Sequence, residues 1–170
     1  MDRTVDPQPR QTPVAIAIGS NLGDRRAAID FAIARLSREF TSLTVSDAVE
    51  TDPEDADGAT IPDHPLYLNA VATGVTTLTP REVLDTLLAI ERDFGRERPF
   101  AGAPRTLDLD LILQGDAILD EPGLRLPHPR FRQRFFVLGP LAEIAPEMVD
   151  PVSGLRVGEL LRRLLRDEAR

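Results

Sequence analysis

Residues 107–113 read Leu-Asp-Leu-Asp-Leu-Ile-Leu, and this pattern narrows the choice of fold. Its period is that of a β-strand, in which successive side chains point to opposite faces. Leu107, Leu109, Leu111 and Leu113 then share one face, while Asp108, Asp110 and Ile112 share the other. One face has to be covered, and the other starts with two carboxylates before turning apolar. Adjacent carboxylates on one face repel each other and resist burial. A hard divalent cation relieves both difficulties, and Mg²⁺ typically takes one or two carboxylates together with substrate phosphates. Arg105 lies just upstream, where it can meet a phosphate. The alternative is a solvated acid pair on an edge strand.

The composition removes other chemistries. The chain has no cysteine, which excludes disulfides, thiol nucleophiles, iron–sulfur clusters and thiolate zinc sites. It has two histidines, His64 and His128, too few for a histidine-rich metal site. All 20 basic residues are arginine, so a P-loop lysine and a Schiff-base lysine are absent. Any phosphate clamp is built from arginine and backbone amides. The net charge of −8 argues against a general nucleic-acid binder. The charge is uneven, however. Arg92, Arg96, Arg98, Arg105, Arg125, Arg130, Arg132 and Arg134 crowd one stretch, whereas residues 50–63 are acidic. A basic patch on an acidic protein suits a small polyanion.

The 170 residues are expected to form one domain over 14–170, preceded by a polar, proline-containing leader over 1–13 that reads as disordered rather than as a signal peptide. No apolar run approaches a bilayer span. A cytoplasmic monomer with no nucleic-acid or membrane partner is the expectation.

Val14 to Gly19 reads as a buried strand. Asp24 is placed to cap a helix from Arg25 to about Phe40. Leu43 to Glu50 predicts a second strand, Thr51 to Pro65 a long loop, and Leu66 to Thr77 a third strand. Thr79-Pro80-Arg81-Glu82 is a helix start with a capping box, and Gly95 is its expected end. A basic loop over 96–104 leads into the acid-pair strand. A turn at 114–116, a short strand near Ile118, a helix over 133–144 with a bend at Pro140, and a last helix over about 157–166 complete the chain. The order β-α-β-β-α-β predicts an α+β fold: a ferredoxin-like antiparallel sheet with helices on one face and the C-terminal helices covering the other, three α/β/α layers in all.

Several strings occur in fixed order: Ile16-Ala17-Ile18-Gly19-Ser20-Asn21-Leu22-Gly23, Tyr67-Leu68-Asn69-Ala70, Ile90-Glu91 with Gly95-Arg96-Glu97-Arg98, Pro104-Arg105-Thr106-Leu107-Asp108-Leu109-Asp110, Leu126-Pro127-His128-Pro129-Arg130, and Phe136-Val137-Leu138 ahead of Pro140 to Pro146. From about Val14 onward the chain resembles the 6-hydroxymethyl-7,8-dihydropterin pyrophosphokinases of folate biosynthesis. The resemblance implies an ATP-dependent diphosphotransferase: the terminal diphosphate of ATP passes to the pterin hydroxymethyl oxygen and AMP leaves. Such a transfer needs alignment and charge neutralisation more than a covalent nucleophile, which suits a chain without cysteine or lysine.

By the resemblance, Asp108 and Asp110 hold two Mg²⁺ ions that bridge the triphosphate, and Arg96 and Arg105 grip its phosphates. Glu91, Arg98, Leu111, His128 and Arg134 fall on the nucleotide side. Tyr67 and Phe136 match aromatics that sandwich the pterin, as a flat bicyclic ring favours. Asn69 matches a side chain on the pterin edge, where an amide supplies both donor and acceptor. Thr51 and Pro53 align with a segment that contacts the pterin largely through backbone. Read as residues alone, Glu91 is equally a solvent-facing helix acid, Phe136 a core residue and His128 a structural hydrogen-bonding residue.

Ala101, Gly102 and Ala103 stand where the family commonly has Arg-Trp-Gly, which predicts a loop that is loose without ligand. The loop over 51–65 is more acidic than the family pattern, with Asp52, Glu54, Asp55 and Asp57 opposing a triphosphate unless they face solvent. Two other readings stand beside the leading one: a pterin- or nucleotide-binding homologue with weakened catalysis, and another Mg²⁺-dependent Asp-x-Asp nucleotidyl or phosphoryl transferase. The second leaves Tyr67, Asn69 and Phe136 unexplained as a set.

Overall fold

The computed structural model describes residues 9–53, 58–63, 65–96 and 107–170, with the Arg96 side chain outside that description. The positions expected to form most of the basic loop, Arg98, Ala101 to Ala103 and Arg105 among them, lie outside the described residues, as do Glu54, Asp55 and Asp57.

β1 (Thr12–Ser20) alternates Val14, Ile16 and Ile18 with small residues, and begins two residues earlier than the sequence suggests. It lies between β4 (Tyr67–Thr76) and β5 (Asp108–Gln114) in a sheet of order β2-β4-β1-β5, in which β2 is Thr41–Val45. All of these pairings are antiparallel. With α1 (Arg25–Glu39) between β1 and β2, and α2 (Pro80–Arg96) between β4 and β5, this is the ferredoxin-like arrangement.

The single strand expected over 43–50 is two, β2 and β3 (Val49–Thr51), both paired with β4. Ser46 divides them. Its hydroxyl accepts the Val71 N–H at 2.9 Å, a bond that a strand carbonyl would otherwise accept, while its own N–H donates to the Val71 carbonyl at 2.9 Å. α1 starts as predicted, with the Asp24 carboxylate accepting the Ala27 N–H at 3.0 Å. Thr79 Oγ1 accepts the Glu82 N–H at 3.2 Å and its hydroxyl donates to the Glu82 carboxylate at 3.0 Å.

Gly95 does not end α2, which continues to Arg96. Two contacts from α1 hold that last turn: the Phe31 and Phe94 rings stand 5.3 Å apart, and Arg35 pairs with Asp93 at 2.6 Å. They offset the modest helical penalty of one glycine.

Helices α1 and α2 cover one face of the sheet, burying Ile16, Ile18, Ile29, Leu36, Leu87, Ile90, Leu109 and Leu111. On the other face α3 (Phe135–Ile144) and α4 (Val157–Glu168) bury Ala15, Val71, Ile112, Val137, Leu138 and Leu160. A hairpin of β6 (Leu119–Glu121) and β7 (Leu124–Leu126) follows β5, where the sequence suggests a short strand. Pro140 sits inside α3, so the Phe136 carbonyl has no helical N–H four residues on.

The acid-pair strand departs from strict alternation at one point. Ala15 faces Leu113 and Ile16 faces Leu111, which leaves Ile112 as an extra residue in a bulge. Leu113 therefore packs with Ile112 against α3 and α4, and not with Leu109 and Leu111 as alternation predicts. Among the described residues no helix is long and apolar enough to cross a membrane.

Candidate active site

Strand register assembles the site. Asn69 of β4, Gly19 of β1 and Asp108 of β5 form one row across the sheet, and Val71, Ala17 and Asp110 form the next. Residues in register share a face, so both carboxylates stand on the α3–α4 side. The helices cover that face farther along, around Ile112 and Val71, and leave the ends of the three strands open. The result is a cavity of about 240 Å³ with Asp108 and Asp110 on one side and Tyr67, Asn69, Thr51 and Phe136 around the rest. Both carboxylates remain exposed while Leu109 between them is buried, as the alternation requires.

Asn69 is only 8% exposed, and its amide Nδ2 donates to Thr51 Oγ1 at 2.6 Å. β3 exists as a strand segment on β4, and that pairing brings Thr51 opposite Tyr67. Burial raises the Tyr67 phenol above its ordinary pKa, and the Asp108 carboxylate adds to the rise. Phe136 is partly buried against the α3–α4 core and also lines the cavity, so core packing and site wall describe the same ring. The Arg134 guanidinium lies 5.5 Å from its ring centroid. Arg134, expected on the nucleotide side, lines this same cavity with Phe136. Pro53 is buried and its carbonyl accepts the Ile61 N–H at 2.8 Å, which sets Ile61 beside Pro53. Asp52 also reaches the cavity wall.

β5 is an edge strand, so its outer backbone groups need partners from outside the sheet. Glu91 on α2 supplies one: its carboxylate accepts the Leu109 N–H at 2.7 Å, between the two aspartates. His128 supplies another, its backbone N–H donating to the Ile112 carbonyl at 2.9 Å. Its Nδ1 accepts the Arg130 N–H at 3.2 Å. Burial lowers the His128 pKa; the Asp110 carboxylate opposes this, and Arg134 and Arg130 reinforce it.

His128, Leu111 and Leu84 line a second cavity of about 280 Å³, together with Glu121, Arg125 and Asp110. Asp110 thus belongs to both cavities, and Asp108 to the first. Of the expected site residues, Thr51, Tyr67, Asn69, Phe136, Arg134, Glu91 and Asp108 gather at the first, and Leu111 and His128 at the second. The sequence gives no signal for Arg125 and Glu121 at this cavity, since their place depends on a hairpin whose packing leaves no periodicity. Gly19 and Ala17 belong to a buried strand and to one of the strings that carry the family resemblance, and the small side chains at these alternate positions are the trace that a cavity floor leaves in a sequence.

The donor set fits a hard cation held jointly with a substrate. Among the described residues no group of three or more His, Asp or Glu side chains could hold a metal alone. Two exposed carboxylates on one face would fill only part of a coordination shell, leaving the rest to phosphate oxygens and water. That is the habit of Mg²⁺ rather than of a structural metal.

A sequence model of the 7,8-dihydro-6-hydroxymethylpterin-pyrophosphokinase (HPPK) family matches residues 15–146. A Pseudomonas aeruginosa 2-amino-4-hydroxy-6-hydroxymethyldihydropteridine pyrophosphokinase is 41% identical over 150 residues, covering 87% of this chain and 89% of that protein. The Synechocystis protein of the same name is 50% identical over 103 residues, covering 61% of this chain and 53% of the relative. Among solved structures, a Plasmodium falciparum HPPK-DHPS triple mutant superposes with a TM-score of 0.70 at 13% identity, over 95% of this chain and 46% of that one. The chain therefore spans about half the length of that longer protein, and the likeness at this identity concerns the fold.

Proposed function

The chain belongs to the 7,8-dihydro-6-hydroxymethylpterin-pyrophosphokinase family, and we propose that it transfers the terminal diphosphate of ATP to the hydroxymethyl group of 6-hydroxymethyl-7,8-dihydropterin, releasing AMP, in folate biosynthesis. The observation that carries this reading is the position of Asp110, which lines both cavities. One cavity has the aromatic and amide groups suited to a flat heterocycle, Tyr67, Phe136 and Asn69. The other is the nucleotide side, with Leu111 and His128. In this reading the acceptor oxygen and the phosphorus meet beside Asp110, at the junction of the two cavities.

Asp108 and Asp110 would hold Mg²⁺, two ions in the full reading, and the metal would supply charge neutralisation for a transfer at the β-phosphorus. The protein's part is alignment. Tyr67 and Phe136 clamp the ring, Asn69 and the Thr51–Pro53 segment read its edge, and Arg134 beside Phe136 reaches toward the transferred diphosphate. By the family resemblance Arg96, Arg98 and Arg105 grip the phosphates, and Glu91 holds the acid-pair strand in place. The neutral form of His128 accepts the Arg130 N–H at Nδ1, which makes Nε2 its donor nitrogen. The protein acts as a cytoplasmic monomer in this reading.

Purified protein with ATP, Mg²⁺ and the reduced pterin is expected to form AMP in step with pterin diphosphate. Formation of ADP instead, or of no nucleotide product, refutes the assignment. Asp108→Ala and Asp110→Ala are each expected to reduce turnover at least about a thousandfold, with folding intact.

A further inference from the structure

Gly19 stands in the centre of the row Asn69–Gly19–Asp108, between the groups assigned to the acceptor ring and those assigned to the metal. Along β1 the residues on this face shrink toward the site, from Ala15 and Ala17 to Gly19. The glycine is not there for its backbone freedom, because Gly19 is absent from the positive-φ glycines and a side chain is conformationally allowed. Space is the constraint. A Cβ at this position meets Asn69 Oδ1 at 3.1 Å and Tyr67 Cδ1 at 3.6 Å. Asn69 has little room to retreat, being only 8% exposed and tied to Thr51 by a 2.6 Å bond.

We propose that Gly19 is a specificity-determining residue: its missing side chain sets the depth of the slot beneath the acceptor ring and keeps Asn69 and Tyr67 where they meet that ring. This rests on the pterin reading above. A methyl group here occupies floor space and displaces the amide that reads the ring edge, while leaving the second cavity, which Gly19 does not line, untouched.

The test uses the oxidised fluorescent analogue 6-hydroxymethylpterin as the binding probe, with Gly74→Ala as the control. Gly74 lies in β4, where a Cβ is equally crowded, at 3.1 Å from Phe40 Cβ and 3.2 Å from the Thr41 carbonyl oxygen, but it lines no part of the site. Gly19→Ala is expected to weaken pterin binding and raise the acceptor KM by about tenfold or more, as a one-methyl mismatch does in a tight pocket. Its KM for ATP and its binding of ATP with Mn²⁺ are expected to stay within about twofold of the parent. Gly74→Ala is expected to lower thermal stability and leave the acceptor KM unchanged. Unaltered pterin affinity in Gly19→Ala overturns the proposal. So does parallel loss of ATP and pterin binding, or failure to fold, since either assigns Gly19 to the architecture. If the parent protein itself neither binds the pterin nor forms AMP, the failure lies with the functional reading instead.

Discussion

A carboxylate from α2, Glu91, satisfies the outer N–H of the acid-pair strand beside the two aspartates. Leu109 lies between two side chains that carry like charges, and its N–H points away from β1, where no strand follows among the described residues. A bond at 2.7 Å to a carboxylate is stronger than one to a neutral acceptor, on the order of 2 kcal/mol net. Helical periodicity in α2 correctly puts Leu87 and Ile90 in the core and leaves Glu91 off the buried stripe, but periodicity within one helix says nothing of an unpaired N–H on a strand 18 residues away. Glu91→Ala is expected to speed amide exchange at Leu109 by about tenfold or more in the ligand-free protein. Glu91→Gln keeps an acceptor oxygen and is expected to restore much of the protection. Unchanged exchange at Leu109 in Glu91→Ala would sink this account, and the measurement needs neither ATP nor metal.

At the scale of elements, the α3–α4 layer decides where Phe136 and Arg134 stand, and a buried ion pair holds that layer together. Arg132, two residues before the cap of α3, grips Asp150 through Nε at 2.6 Å and Nη2 at 2.9 Å. Asp150 is fully buried, and it also accepts from the Ser153 hydroxyl at 2.7 Å and the Val152 N–H at 3.1 Å. Burial alone would raise the Asp150 pKa; the bonds from Arg132, Ser153 and Val152 outweigh it and hold the pKa below the ordinary aspartate value. The unfolded chain then takes up this proton at a higher pH than the folded protein does. The stabilisation is complete above about pH 5 and is lost as pH falls below about 4 toward the lower folded value. Urea midpoints should therefore drop between pH 5 and pH 3 more steeply in the parent than in Asp150→Asn, and matching slopes would refute the assignment. Arg132→Ala, which strands the buried carboxylate, is expected to lose on the order of 3 kcal/mol in urea unfolding at pH 7. None of this pairing was legible in advance: Arg132 reads as one more arginine in a basic stretch, and only the return of the chain after α3 brings Asp150 to it. The elements themselves were legible, because β1, α1, α2 and β5 each carry a local signal in caps or alternation. The departures occur where one side chain replaces a ladder bond, as Ser46 does, or where a bulge shifts the register, as at Ile112.

For the whole molecule, the geometry separates two tasks that share one residue. Phe136 lines the first cavity and not the second, His128 lines the second and not the first, and Asp110 lines both. Both cavities form at the same end of the sheet because β5 is at once the neighbour of β1 and the exposed edge. Its acid face looks toward Asn69 and Phe136, and its outer edge toward α2, the β6–β7 hairpin and His128. Steady-state kinetics should register that division. Phe136→Ala is expected to raise the acceptor KM by about tenfold, with the KM for ATP unchanged, because it removes one wall of the ring slot. His128→Ala is expected to raise the KM for ATP several-fold and leave the acceptor KM alone. Asp110→Asn, at the junction, is expected to lower kcat and kcat/KM for both substrates together, since what it loses is interaction with the reacting diphosphate in the transition state. The opposite pattern, with Phe136→Ala acting through ATP or His128→Ala through the pterin, would mean that the two cavities form one undivided site, and the assignment of Asp110 to their boundary would fail with it.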